Sequence, residues 1–194
     1  MARIVVTESV SLDGVMQGLG RPDEDTRGGF EHGGWGLPYV DPTAMEKMGQ
    51  GMAGTTAMLF GRRTYEDFSS FWPKQTDGNP FTGMLDRTTK YVASRTLVEP
   101  LSWQNSTLLS GEAVESVAKL KQELDGDVAV LGSGVLVRSL AAAGLVDEYT
   151  LQIHPLVLGG GRRLFPDEGA FRELRLVDSV TTTTGVIIAT YRPL

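Results

Sequence analysis

The 194-residue chain contains no cysteine. That excludes disulfides, thiolate-bound zinc, iron–sulfur clusters and cysteine nucleophiles. It has only two histidines, too few for a histidine-built metal site, so no metal is expected. No apolar run approaches the length of a membrane span. The start MARIVVTESV lacks the basic end and cleavage site of a signal peptide. A cytoplasmic location with no membrane partner is therefore expected. Lysine is scarce, at five against thirteen arginines, and the net charge of −6 argues against a nucleic-acid surface.

The remaining composition, 41% hydrophobic and 22% charged, is that of an ordinary globular protein. Its length suits one domain over residues 1–194. Several arginines stand beside glycines at expected strand ends: Arg62, Arg63, Arg162 and Arg163. Arginine suits forked recognition of phosphate or carboxylate, although a solvated surface charge is the plainer reading of any one of them.

Along the chain, Ile4 to Val10 reads as a buried strand. Residues 11–40 carry eight glycines and no helical period. A connection this long is either a functional lid or a disordered insert, and the aromatics of FEHGGWGLPY argue against plain disorder. Asp41-Pro42 reads as an N-cap followed by proline at the first helical position, opening a helix to about Met52. Met45, Met48 and Met52 mark its expected buried face. TAMLFG (56–61) is a strand running straight into a helix at 62–71. A short helix at 80–87, strands at 89–94 and 106–110, and a helix with Ala113, Val117, Leu120 and Leu124 on one face follow. Then come a strand at 127–132, an apolar helix at 134–143, a strand at 149–158, a glycine turn, and two strands joined as a hairpin. Strands alternating with helices imply an α/β sheet, largely parallel, and the closing hairpin makes it mixed.

The run VLGSGVLVRSL (130–140) places two glycines where a strand hands over to a helix. Helix starts attract anions, and glycine permits close backbone approach. A dinucleotide fingerprint of the GxGxxG type does not fit, because Val137 stands where the third glycine belongs. Asp147 and Glu148 precede the next strand rather than end it. Walker, zinc-deaminase and GxSxG patterns are absent. What remains is a set spread over three strand ends: Gly61-Arg62-Arg63-Thr64, Ser94-Arg95, and Gly132-Ser133-Gly134. Ligands of open α/β sheets bind at such carboxyl ends.

These motifs, with Ser11-Leu12-Asp13-Gly14 before them and the run Pro155 to Phe165 after, resemble in order and spacing the dihydrofolate reductase-like superfamily. Within it the chain is most similar to the branch related to the reductase domain of the bifunctional riboflavin-pathway deaminase-reductase. The resemblance implies an α/β fold, a three-layer αβα sandwich around a mixed, mostly parallel sheet with a C-terminal antiparallel hairpin. It also implies NADPH as hydride donor to a small pterin- or pyrimidine-like heterocycle, and a possible homodimer. Carried over, Gly61, Arg62, Arg63 and Thr64 would face the cofactor's phosphates from one helix start. Ser94 and Arg95 would hold the adenosine 2′-phosphate, and Gly132, Ser133, Gly134, Val135 and Leu136 would cradle the pyrophosphate. Dihydrofolate reductases carry a cis Gly-Gly peptide here; with Ser133 in second place, cis or trans stays open.

On the substrate side, Asp13 matches the branch's Ser-Leu-Asp-Gly turn and is the expected catalytic and substrate-binding carboxylate, with a plain turn residue as its alternative. His32, Trp35 and Tyr39 are candidate substrate contacts, a proton donor or hydrogen-bonding ring in the first case and flat-ring stacking in the others. Lid packing would explain them equally well. His154 reads as a core histidine, and Trp72 and Trp103 as core or interface. A rival from a different class is a non-catalytic nucleotide-binding module on the same fold, and flavin binding is a third reading.

Overall fold

The computed structural model describes all residues except 77, 166–168 and 170. In chain order its elements are β1 (Arg3–Ser11), α1 (Pro42–Met52), β2 (Thr55–Gly61), α2 (Arg62–Phe71), α3 (Pro80–Arg87), β3 (Thr89–Ala93), β4 (Ser106–Leu109), α4 (Ala113–Glu123), β5 (Asp127–Leu131), α5 (Gly134–Ala142), β6 (Glu148–His154), β7 (Leu174–Thr181) and β8 (Ile187–Pro193). The eight strands among the described residues make a mixed, mostly parallel sheet. Among those residues no helix is long and apolar enough to cross a membrane. By contact density the chain forms two compact units, one of residues 1–4 and 54–145, the other of residues 5–53 and 146–194.

In the first unit the strand order is β4-β3-β2-β5, with every neighbour parallel. Parallel strands covered on both faces read as unbroken apolar runs, which is why Ala57 to Phe60 and Val128 to Leu131 are buried throughout. Helix α4 turns Val117 and Leu120 inward at the spacing read from the sequence, and α5 buries Leu136, Val137 and Leu140. Lys90 is an unusual core residue, fully buried in β3. Its ammonium donates to the Leu85 carbonyl at 2.6 Å and the Thr88 carbonyl at 2.8 Å, and lies 4.5 Å from the Trp103 ring centre. A cation there satisfies carbonyls left over at the end of α3. Burial pushes its pKa down to about 8, against the pull of Asp86. Trp103 is accordingly core, its indole N–H donating to Asp86.

In the second unit β1 lies parallel to β6, and β6, β8 and β7 continue antiparallel. The hairpin turns at Gly185, whose φ is +83°. Asp41 caps α1 as expected, accepting from Thr43 and Ala44 N–H. Its second oxygen accepts from the Thr183 N–H and hydroxyl. The same carboxylate therefore fastens α1 to the hairpin tip.

Three expectations need correction. Strand β6 ends at His154, not at residue 158. Pro155 has no N–H to continue a ladder, and the Leu156 N–H folds back to the His154 carbonyl. Helix α1 buries Met52 but leaves Met45 exposed, so the methionine stripe is not its inner face. Residues 11–40 are not a disordered insert. Val15, Phe30 and Trp35 form a buried cluster, with Leu19, Leu156 and Leu158 packed on it. Two short 3-10 turns, Arg27–Gly29 and Leu37–Tyr39, give the segment regular structure.

Candidate functional site

The candidate phosphate-binding residues all belong to the first unit. Because β3, β2 and β5 are parallel neighbours, their carboxyl ends reach the same edge, and the three motifs stand side by side there. The join between two of them is specific. The Ser133 N–H donates to the Thr64 hydroxyl at 2.9 Å, while the Ser133 hydroxyl accepts from the Gly61 N–H at 3.0 Å. To do this the chain takes left-handed backbone at both Gly132 and Ser133, each with φ of +61°. Glycine is required at 132 on a second count, since a Cβ there would lie 2.9 Å from the Thr64 methyl. The Gly132-Ser133 peptide is trans; the cis bond among the described residues is Glu99-Pro100.

Neither α2 nor α5 has a side-chain cap at its start. The first N–H groups of each helix thus face outward with the positive end of the helix dipole behind them. Leu136 turns into the core while Val135 is exposed, so α5 presents backbone rather than bulk at its first turn. Just past the end of β3, the Ser94 hydroxyl accepts from the Thr96 and Leu97 N–H groups and holds the turn that carries Arg95. The Arg95 guanidinium is 81% exposed and lies 3.7 Å from the Glu112 carboxylate. Arg62 reaches Glu66 one turn along α2, at 3.4 Å, and Arg63 is exposed.

The candidate substrate residues all belong to the second unit. Asp13 Oδ1 accepts from the Ser11 hydroxyl at 2.6 Å and the Leu158 N–H at 3.1 Å, and Oδ2 accepts from the Gly159 N–H at 2.9 Å. Arg163 donates to the Asp13 backbone carbonyl at 2.8 Å, and its guanidinium lies 3.9 Å from the carboxylate. The Ser11 hydroxyl, more than opposing burial, and then the two N–H groups hold the Asp13 pKa down at about 2. At neutral pH this group is an anion and an acceptor, and it does not supply a proton.

Trp35 and Tyr39 converge on His154, meeting its ring edge-on at 5.0 Å and 5.4 Å. Trp35 is buried and its indole N–H donates to the Gln17 carbonyl. His154 is buried too, and burial holds its pKa below the ordinary histidine value. His32 stands apart from that trio. It packs edge-on against Phe30 at 5.8 Å and lines a cavity bounded by Gln17, residues 27–32, Leu158 and residues 160–162.

Sequence reasoning passed over Glu8. It is buried in β1, its Oε1 has no hydrogen-bond partner, and burial raises its pKa well above the ordinary carboxylate value. The signal was present in IVVTESV, where alternation puts position 8 on the side of Ile4, Val6 and Val10. Gln17 was also passed over, though its side chain ties residues 25 and 27 to Arg162.

Comparison with known proteins bears on the fold and the family. The chain is 28% identical over 193 residues to the uncharacterized protein YyaP of Bacillus subtilis (strain 168), covering 97% of this chain and 94% of that one. Its fold is similar to a putative riboflavin biosynthesis protein from Shewanella sp. PV-4, with a TM-score of 0.68 at 21% identity over 100% and 99% of the two chains. Dihydrofolate reductase from Enterococcus faecalis, complexed with NADP(H) and RAB-propyl, superposes with a TM-score of 0.63 at 14% identity over 98% and 96%. The RibD C-terminal domain profile matches residues 2–188. On that match, which takes in the first seven strands and the start of the last, the chain belongs to the RibD C-terminal domain family.

Proposed function

We propose that the protein is an NADPH-dependent reductase of a small pterin- or pyrimidine-like heterocycle. The observation that carries this reading is the pair of uncapped helix starts fastened together through Ser133, Thr64 and Gly61. Two adjacent dipole ends with bare backbone suit a pyrophosphate. The left-handed Gly132 leaves no side chain in the way, so the residues present fit such a cofactor. The NADP(H) complex of a similarly folded reductase supports the same choice.

In this reading Gly61 to Thr64 and Gly132 to Leu136 hold the phosphates, and Arg95, with its turn braced by Ser94, meets the 2′-phosphate. Bound NADPH would supply the hydride; the protein's part is to bind, orient and exclude water. Asp13, ionised and fixed by three donors, accepts a hydrogen bond from a substrate N–H or hydroxyl at its remaining lone pairs. His32, Trp35 and Tyr39 belong to the segment proposed to flank the substrate. Trp35 and Tyr39 act there by setting its shape around His154 rather than by offering free polar atoms.

The test is a titration with NADPH followed by its absorbance during incubation with pterins, pyrimidines and quinones. Binding and oxidation with a pterin or pyrimidine support the proposal. Binding with no oxidation across the panel would make the chain a nucleotide-binding module, and failure to bind NADPH would reject both readings.

A further inference from the structure

Strand β7 closes the order β1-β6-β8-β7, so among the described residues one of its edges pairs with β8 and the other with no strand. Six of its eight residues are exposed, so nothing else covers it either. An edge of open N–H and C=O groups is a template for another strand, and natural proteins blunt such edges. The outer strand of the first unit is blunted: β4 is four residues long, and its Leu108 N–H donates to the Glu99 carboxylate at 2.6 Å. β7 is twice that length and contains neither proline nor lysine. Leu176, 52% exposed, lies near its middle.

A bulge at mid-strand decides which side chains share a face. Leu176 pairs with Tyr191 and Asp178 with Thr190, which leaves Val177 as the extra residue. Arg175 pairs with Arg192, two residues from Thr190, so Arg175 and Asp178 lie on one face of the sheet. Without the extra residue their odd separation would put them on opposite faces. By the same count Leu174, Leu176 and Ser179 share the other face.

Near its middle the strand is self-complementary in one register. When two identical strands pair antiparallel about a two-fold axis, the residue on the axis meets its own copy and its neighbours meet in reverse order. With Arg175 or Asp178 on the axis, like charges stand opposite each other, which is destabilising. With Val177 there, facing residues would point to opposite faces. With Leu176 there, counting past the bulge, leucine meets leucine, each Arg175 meets an Asp178 on the same face, and Leu174 meets Ser179. Lys47 of α1 already holds the Asp178 carboxylate at 3.1 Å from within the subunit.

We propose that the chain forms a closed two-fold dimer in which β7 pairs antiparallel with β7 of a second copy, Leu176 lying on the axis and Arg175 opposite Asp178 of the partner subunit. The pairing satisfies the open backbone edge, covers Leu176, and carries the sheet from one copy into the next. Charge sets the register more than the strength. Exposed ion pairs contribute little, whereas like charges opposed across an interface repel. The inference does not rest on the reductase reading, because its readout is molecular mass and needs no cofactor.

The test is sedimentation equilibrium of the full chain from about 1 µM to about 1 mM. The parent should pass from monomer to dimer as concentration rises and stop there. Arg175→Asp and Asp178→Arg should each raise the dimer dissociation constant by about tenfold or more, since each sets like charges across the pair. Mixed in equal amounts, the two variants should associate about as tightly as the parent, because each then meets the opposite charge. Leu176→Lys should abolish the dimer. Melting curves check each fold; if loss of the Lys47 pair unfolds Asp178→Arg, then Arg175→Asp and Leu176→Lys decide. A parent that stays monomeric, a parent that grows into open-ended polymers, a dimer untouched by these variants, or folded charge variants that do not recover on mixing would overturn the proposal.

Discussion

The Ser133 N–H donates to the Thr64 hydroxyl at 2.9 Å across 69 residues of sequence, joining the start of α5 to the first turn of α2. Thr64→Val keeps the shape and removes the acceptor. It should cost about 1 kcal/mol of stability, as for a typical lost hydrogen bond, and weaken NADPH binding several-fold by freeing the two helix starts to move apart. Thr64→Ser should restore both. Urea melts and fluorescence titration check the pair of effects; a Thr64→Val protein that binds NADPH as the parent does would remove the join from the cofactor site.

Arg95 and Glu112 lie 3.7 Å apart on an exposed surface, where an ion pair contributes little. A 2′-phosphate would compete with Glu112 for the same guanidinium. Arg95→Ala should cut the preference for NADPH over NADH by about tenfold or more, the scale of a charge-assisted contact. Glu112→Gln should do the reverse, strengthening NADPH binding and leaving NADH unaffected. Parallel titrations with both cofactors give the ratio directly, and a parent protein with no preference rejects the assignment.

Asp13 is held at a pKa of about 2, down from 3.8, so its contribution to stability is present above the unfolded value and is lost as pH falls from 3.8 through about 2. Asp13→Asn should flatten the acid limb of the stability curve in that window. At neutral pH it should lower turnover and leave NADPH affinity nearly unchanged, because Asp13 touches only residues of the second unit in the contacts described. Acid titration of the melting temperature checks the first effect and steady-state kinetics the second. Loss of NADPH affinity in Asp13→Asn would place this turn on the cofactor instead.

Glu8 carries the opposite sign. Its folded pKa is raised, so the neutral form is favoured and its stability contribution is lost as pH rises from the ordinary carboxylate range through the raised value. Glu8→Gln cannot ionise and should hold its stability over that interval while the parent declines. Urea melts across the acid-to-neutral range would show the two curves diverging with increasing pH; parallel curves would mean that Glu8 is solvated.

The sequence by itself determined the features whose causes are local. Apolar runs ended by glycine marked β2 and β5, a one-sided 3.6-residue period marked α4, and Asp41-Pro42 marked the start of α1, since strand burial, helix faces and caps all act within a few residues. The three strand-end motifs were legible for the same reason, and parallel order then set them on one edge. Tertiary structure decided what depends on a distant partner. The Asp13 carboxylate is held low in pKa first by the neighbouring Ser11 hydroxyl, and folding adds the Leu158 N–H from 145 residues away. The glycine-rich segment 11–40 acquired a core because Leu156 and Leu158, beyond the end of β6, pack on Phe30 and Trp35. Glu8 shows the limit from the other side. Its alternation was visible in the sequence, but the absence of any partner for Oε1 follows from the neighbours that folding puts around it. Period and capping belong to the chain, whereas solvation and pairing of a charge belong to the space in which the fold encloses it.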